Sequence, residues 1–269
     1  MEIKHATDIK RNKDFAALIF AQPGAGKTST LKYLPGKTLV IDVDRTTNVL
    51  SGVPNIDVVE LDIQHPAKET KTLLKDIHDN YLDKYDNVAF DNLSEFEQAW
   101  FSEKASLSRA KSGEEMGVPQ MNNYNQYTYY ITDMIRYINS WPNINKIYTA
   151  WEDTREIVTP DGQTYNQFVP QIREKVLTNI MGLMNIVGRL VISDKTGQRG
   201  FILKPSNAIF AKNQLDNREF ALQADIFTKI GGDVNVSTPP VSKGSGKQSP
   251  SSTDQGKQSS SAAKPSGKR

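Results

Sequence analysis

Ala21-Gln22-Pro23-Gly24-Ala25-Gly26-Lys27-Thr28 follows directly on an apolar run, Phe15-Ala16-Ala17-Leu18-Ile19-Phe20. Together they read as a strand, a glycine-rich turn and the start of a helix, the context in which backbone N–H groups surround a triphosphate. Gly24 and Gly26 let the backbone approach phosphate with no Cβ in the way, and Pro23 stiffens the turn. Lys27 is expected to reach the β- and γ-phosphates, and the Thr28 hydroxyl to join a Mg2+ shell. Gln22, Ala25 and Ser29 complete the candidate nucleotide-binding set. One position departs from the usual motif: Ala21 stands where the first glycine is expected. The change is mild, because the closest phosphate contacts fall later in the loop. ATP with Mg2+ is the expected ligand.

A chain of 269 residues has room for one large α/β domain or two small ones. It contains no cysteine, which excludes disulfides, thiolate metal sites and cysteine nucleophiles. Its three histidines, His5, His65 and His78, do not share metal-ligand spacing. Met1-Glu2-Ile3-Lys4-His5 is charged and lacks the apolar core of a signal peptide, and no apolar run approaches a membrane span. The expectation is a cytoplasmic protein with no membrane partner.

From Ser237 onward the composition shifts to Ser, Gly, Lys, Pro and Gln, with Val241 the one branched aliphatic residue. Such a stretch cannot bury enough apolar surface to offset the entropy of ordering. The expected organisation is therefore a folded domain over 1–236 and a disordered basic tail over 237–269. Lys243, Lys247, Lys257, Lys264, Lys268 and Arg269 face only Asp254, so the tail carries about +5 of a chain whose net charge is +2. The folded part is then mildly acidic. The tail reads either as a solubiliser or as a loose electrostatic tether to nucleic acid.

Between loop and tail, strands and helices alternate. Thr38–Val43, Ile56–Leu61, Asn87–Asp91, Lys146–Ala150, Ile186–Ile192 and Gly200–Lys204 read as strands. A charged helix follows Pro66, with Leu73, Leu74, Ile77 and Tyr81 on one face. Ser94-Glu95-Phe96-Glu97 reads as a capping box opening a second helix, residues 107–124 as a loop, and Tyr127, Ile131, Met134 and Ile138 as the stripe of a third. The alternation predicts a mostly parallel sheet flanked by helices on both faces.

Val88-Ala89-Phe90-Asp91 is an apolar strand ending in a carboxylate, the place where a P-loop enzyme holds Mg2+, usually through water. Asn92 follows, where many ATPases carry a catalytic Glu. Another group must then orient the attacking water. Asp42 and Asp44 are the candidates, since strand ends in such sheets open onto the ligand crevice. They can also simply end a strand and solvate a turn.

Ile41-Asp42-Val43-Asp44 resembles the strand end of RecA-like recombinases, in which the second acidic residue polarises the water. The resemblance implies that Asp44 has this role. The family usually has Glu here, and Asp is one methylene shorter. Ile147-Tyr148-Thr149-Ala150-Trp151-Glu152 falls where the family has a strand ending in a polar sensor, so Trp151 or Glu152 would take that place. Ala211-Lys212-Asn213-Gln214 is similar to the Lys-Asn-Lys stretch with which RecA-like subunits reach a neighbour's ATP. By this resemblance Lys212 is a catalytic residue acting in trans, with Arg218 a candidate for the second charge; a plain surface lysine is the alternative. The segments span roughly residues 12–232, and in size and motif set the chain is most similar to the phage RecA-like single-strand annealing proteins.

That resemblance implies a homo-oligomer with ATP at the subunit interface and single-stranded DNA as partner, with a single-stranded-DNA-binding protein as a further candidate. It also implies DNA-binding loops after the fourth and fifth strands, about 106–124 and 153–172. Lys104, Arg109, Lys111 and Tyr124 belong to or border the first, Arg155, Tyr165, Phe168 and Arg173 the second. Charge for phosphates and rings for bases suit a single-strand platform, although the cations can equally be a solvated surface. The expected function is a DNA-stimulated ATPase of phage-type recombination or replication, with a nucleotide-gated accessory protein or helicase loader as the alternative. A small-molecule phosphotransferase would need a compact arginine-rich lid, and the sequence has none.

Overall fold

The apolar run 15–20 forms a strand buried along its whole length, because both of its faces are covered. In the computed structural model, which describes residues 14–112 and 117–228, β1 spans Ala16–Ala21. Its side chains alternate between two cores. Ala16, Leu18 and Phe20 face one, while Phe15, Ala17, Ile19 and Ala21 face the other. A strand buried on both sides needs apolar residues at every position, which is why the run is continuous.

The remaining strands are β2 (Thr38–Asp42), β3 (Ile56–Glu60), β4 (Asn87–Asp91), β5 (Asn145–Val158), β6 (Thr164–Pro170), β7 (Ile186–Ile192), β8 (Arg199–Ile202), β9 (Lys212–Asn213) and β10 (Phe220–Leu222). The helices are α1 (Lys27–Thr30), α2 (Pro66–Asn80), α3 (Leu93–Ser112), α4 (Met121–Asn139) and α5 (Glu174–Gly182). The main sheet runs β10-β8-β7-β1-β5-β4-β2-β3. The six strands from β7 to β3 are parallel, and β8 and β10 are antiparallel additions. One strand, β5, thus separates the glycine-rich turn after β1 from the carboxylate that ends β4.

The sheet is covered unequally. Leu74 and Ile77 of α2, Phe96 and Trp100 of α3, Tyr127, Ile131, Met134 and Ile138 of α4, and Val176 and Ile180 of α5 build the larger core on one face. The opposite face is closed by Leu31 and Leu34 after α1, Leu50, and Ile226 and Phe227 near the end of the described residues. The predicted stripe of α4 is therefore core, whereas Tyr81, placed by the sequence on the buried face of α2, is substantially exposed.

Several expected boundaries move. Helix α3 begins at Leu93, and Asn92 Oδ1 accepts the Glu95 N–H at 2.8 Å, so Asn92 is the cap in place of Ser94. The Ser94 hydroxyl instead donates to the Gln171 carbonyl and accepts the Trp151 N–H, both at 2.9 Å. The predicted loop 107–124 is helical over 107–112 and again from Met121, whose helix carries its own capping box between Gln120 and Asn123. The predicted loop 153–172 is for the most part an antiparallel ribbon in which Glu152 pairs with Pro170 and Val158 with Thr164. Asp161-Gly162 lies in its turn, with Gly162 at a φ of 80°. The expected tail, 237–269, lies outside the described residues.

Gly36, at a φ of 80°, ends the segment after α1, and a Cβ there would run into the Asp86 side chain, which accepts the Lys37 N–H at 2.8 Å. Gly36→Ala is expected to cost about 1–2 kcal/mol from the left-handed backbone alone. Urea unfolding monitored by circular dichroism checks this, and an unchanged midpoint would contradict it.

Candidate nucleotide-binding site

The turn after β1, the end of β2 and the end of β4 meet at the same edge of the parallel sheet, where the C-terminal ends of the strands leave a cleft of about 360 Å3. Pro23, Gly24, Gly26, Lys27, Thr28 and Ser29 line it on one side, and Asp44, Thr46, Asp91, Asn92 and Trp151 on the other. Gln22 and Ala25 shape the turn instead: the Ala25 N–H donates to the Gln22 carbonyl at 3.2 Å. Gly24 and Gly26 have φ values of 77° and 105°, conformations that a side-chain-bearing residue adopts only under strain.

Lys27 is buried, and its ammonium donates to the carbonyls of Ala21 and Gln22, each at 3.1 Å. Burial lowers its pKa, while the charges of Asp91, Asp44 and Glu152 oppose that shift. The Thr28 hydroxyl donates to Asp91 Oδ2 at 2.6 Å, and the Thr149 hydroxyl on β5 donates to Asp91 Oδ1. Burial pushes the Asp91 carboxyl up to about 6; those two hydrogen bonds pull the other way, and the charges of Asp44 and Asp42 add to the rise. A hydroxyl and a carboxylate this close are the oxygen donors that Mg2+ takes in P-loop enzymes, so Thr28 and Asp91 fit the metal directly or through water.

Asp42 and Asp44 have different surroundings although they are only two residues apart. Asp42 is buried under Thr47, whose hydroxyl donates to its Oδ2 at 2.5 Å. Asp44 lies in the cleft. Its Oδ1 accepts the Thr46 hydroxyl at 2.6 Å and the Thr46 N–H at 3.2 Å, and its Oδ2 accepts the Asn92 amide at 2.5 Å. Asp44 is thus the one of the two that lines the cleft.

The two sensor candidates also separate. Trp151 lines the cleft, whereas Glu152 is held by Arg189 in a two-point pair at 2.7 and 3.1 Å, with the Arg189 guanidinium over the Phe168 ring. Lys212 is not brought to the cleft of its own chain. It pairs with Val187 near the start of β7, at the far end of the sheet, and its ammonium caps the C-terminus of α5 through the Met181 and Gly182 carbonyls at 3.3 and 3.2 Å. Burial lowers its pKa. Arg218 is buried and engaged with Asp216 at 2.9 Å and with the carbonyls of Asp225 and Ile226, so within its own chain it is a structural cation.

Three contributors were not singled out from the sequence. Thr149 lies in the middle of an apolar strand, and no local motif marks it. Arg199 and Gln223 reach the outer side of the glycine-rich turn from the antiparallel edge. Arg199 Nε donates to the Ala25 carbonyl at 2.9 Å, and the Gln223 amide donates to the Gly26 carbonyl and the Thr30 hydroxyl at 2.9 and 3.0 Å. The start of β8 and the turn that follows β10 therefore brace the glycine-rich turn.

A protein-family model described as an AAA domain matches residues 13–215. The chain belongs to this AAA domain family. The match and the glycine-rich turn identify a nucleotide-binding P-loop ATPase domain, built on a mostly parallel sheet flanked by helices. No curated protein matches the sequence. Similar solved structures include the RadB recombinase, at 13% identity over 70% of this chain and 79% of that chain with a TM-score of 0.41. An ATPase from the type III secretion system of pathogenic bacteria is 14% identical over 67% of this chain with a TM-score of 0.37, and the match covers 52% of that protein. A KaiC-like protein from Pyrococcus horikoshii OT3 is 9% identical over 70% of this chain and 77% of that chain, with a TM-score of 0.33. None of the helices among the described residues is long and apolar enough to cross a membrane.

Proposed function

We propose that this AAA-family chain is a Mg2+-dependent ATPase that works as a homo-oligomer on single-stranded DNA, in phage-type recombination by annealing or in replication. The observation that carries the hydrolytic part is the facing pair in the cleft: Thr28 hydrogen-bonded to Asp91 at 2.6 Å, with Asp44 fixed opposite. Bound Mg2+ would offset the charge on the β- and γ-phosphate oxygens. Lys27 has only to leave two carbonyls to reach them. Asp44 orients water for in-line attack and accepts its proton.

The DNA part draws support from aromatic and cationic groups that the fold brings together. The Arg173 guanidinium lies 4.3 Å from the Tyr124 ring centroid and 5.5 Å from that of Phe101. These residues come from the two segments expected to touch DNA and its neighbouring helix. Rings beside a guanidinium suit stacked bases and phosphates. Lys104 is nearby in sequence and covers the Trp100 ring at 4.8 Å. In an assembly Lys212 would have to exchange its two carbonyls for a neighbour's phosphates.

A second reading, a nucleotide-gated accessory protein or helicase loader with weak hydrolysis, is favoured by the three donors already engaged by Asp44. A carboxylate so engaged has fewer free lone pairs with which to take a proton from water. Gel filtration with light scattering separates a DNA-bound oligomer from a solitary ATPase. The proposal expects the mass to rise to multiples of the chain with MgATP and an oligonucleotide. A monomer under every condition would overturn it.

A further inference from the structure

Asn92 occupies the position after the β4 carboxylate, yet its side chain carries no group that can act as a base. It is buried, 1% exposed, and each end of its amide has a partner. Oδ1 accepts the Glu95 N–H at 2.8 Å as the cap of α3, which fixes the orientation of the amide. Nδ2 therefore points at Asp44 and donates to its Oδ2 at 2.5 Å. Thr46 secures the other Asp44 oxygen through its N–H and hydroxyl. The carboxylate is held at both oxygens, and the Asn92 clamp is anchored to a 20-residue helix.

We infer that Asn92 is a positioning residue for ATP hydrolysis, its amide holding the Asp44 carboxylate at the angle from which it orients the attacking water. The inference rests on the proposed role of Asp44. An aspartate reaches less far than a glutamate, so its direction matters more. A displacement of about 1 Å in a group that aligns a nucleophile costs on the order of 100-fold in rate. A residue that only capped α3 would affect stability and leave turnover per folded molecule unchanged.

Asn92→Ser separates the two roles, because serine is about as good a helix cap as asparagine but is too short to reach Asp44. Turnover, ATP affinity and thermal melting are measured for Asn92→Ser, Asp44→Asn and the double variant in the full chain. The expected result is a kcat for Asn92→Ser reduced by at least about tenfold, with affinity and melting close to those of the parent. Adding Asn92→Ser to Asp44→Asn is expected to change nothing further, since residues acting through one group are non-additive. If Asn92→Ser fails to fold, Asn92→Thr serves instead, as threonine also caps and lacks the amide donor. Normal kcat in Asn92→Ser, with Asp44→Asn inactive, overturns the inference and leaves the role of Asp44 standing. Normal kcat in Asp44→Asn overturns both. A further loss in the double variant shows that Asn92 acts independently of Asp44, and also overturns the inference.

Discussion

Asp44→Asn is expected to lower kcat for ATP hydrolysis by about 10²–10⁴-fold, the range that general-base catalysis supplies, while leaving MgATP affinity within a few-fold of the parent. The substitution keeps the shape of the side chain and removes the oxygen that would take a proton from water. It also keeps an acceptor for Thr46, so the turn after β2 should persist. The matching change at Asp42 provides the control. Asp42 is 1% exposed and bonded to Thr47, so Asp42→Asn should affect stability more than turnover. Single-turnover hydrolysis with pre-bound ATP distinguishes the two. Loss of hydrolysis in Asp42→Asn, with Asp44→Asn active, would place the base two residues earlier in the chain.

Lys27→Ala is expected to weaken ATP binding by at least tenfold, about 1.4 kcal/mol, without unfolding the domain. The ammonium is the cation that lines the cleft and is free to leave its two carbonyl partners for the phosphates. Removing it also takes away its two carbonyl hydrogen bonds and its attraction to Asp91 and Asp44, so thermal melting is measured beside affinity to confirm that the variant stays folded. Of the three tryptophans, Trp100 and Trp141 are almost fully buried in the core and Trp151 lines the cleft. Tryptophan fluorescence therefore reports nucleotide binding, with Trp151→Phe as the control for the signal. An ATP affinity unchanged by Lys27→Ala would contradict the placement of the nucleotide.

The centre of the parallel sheet was legible because β1, β2 and β4 obey local rules: largely apolar runs, each ending in a glycine turn or a carboxylate. The glycine-rich turn and Asp91 were legible for the same reason. The β5–β6 ribbon was not, because Arg155, Glu156, Tyr165 and Asn166 make its residues look solvated; their strand character comes from pairing with each other and not from burial. Asn92 was legible only as a missing glutamate. Its role depends on Asp44, 48 residues earlier in the chain and brought beside it by the pairing of β2 with β4. Thr149, Arg199 and Gln223 share this property. Each contributes through a contact set by strand order, and no spacing in the sequence encodes strand order. Lys212 shows the reverse case: a family-like stretch whose lysine, within its own chain, caps a helix far from the cleft.

Steady-state ATP hydrolysis with and without single-stranded oligonucleotide tests the central claim most directly. The account predicts Mg2+-dependent turnover that rises several-fold with single-stranded DNA, and a DNA-dependent increment that disappears in Asp44→Asn. The increment should also shrink as salt rises, because phosphate contacts release counterions. Turnover that ignores DNA at every salt concentration, or that survives intact in Asp44→Asn, would contradict it.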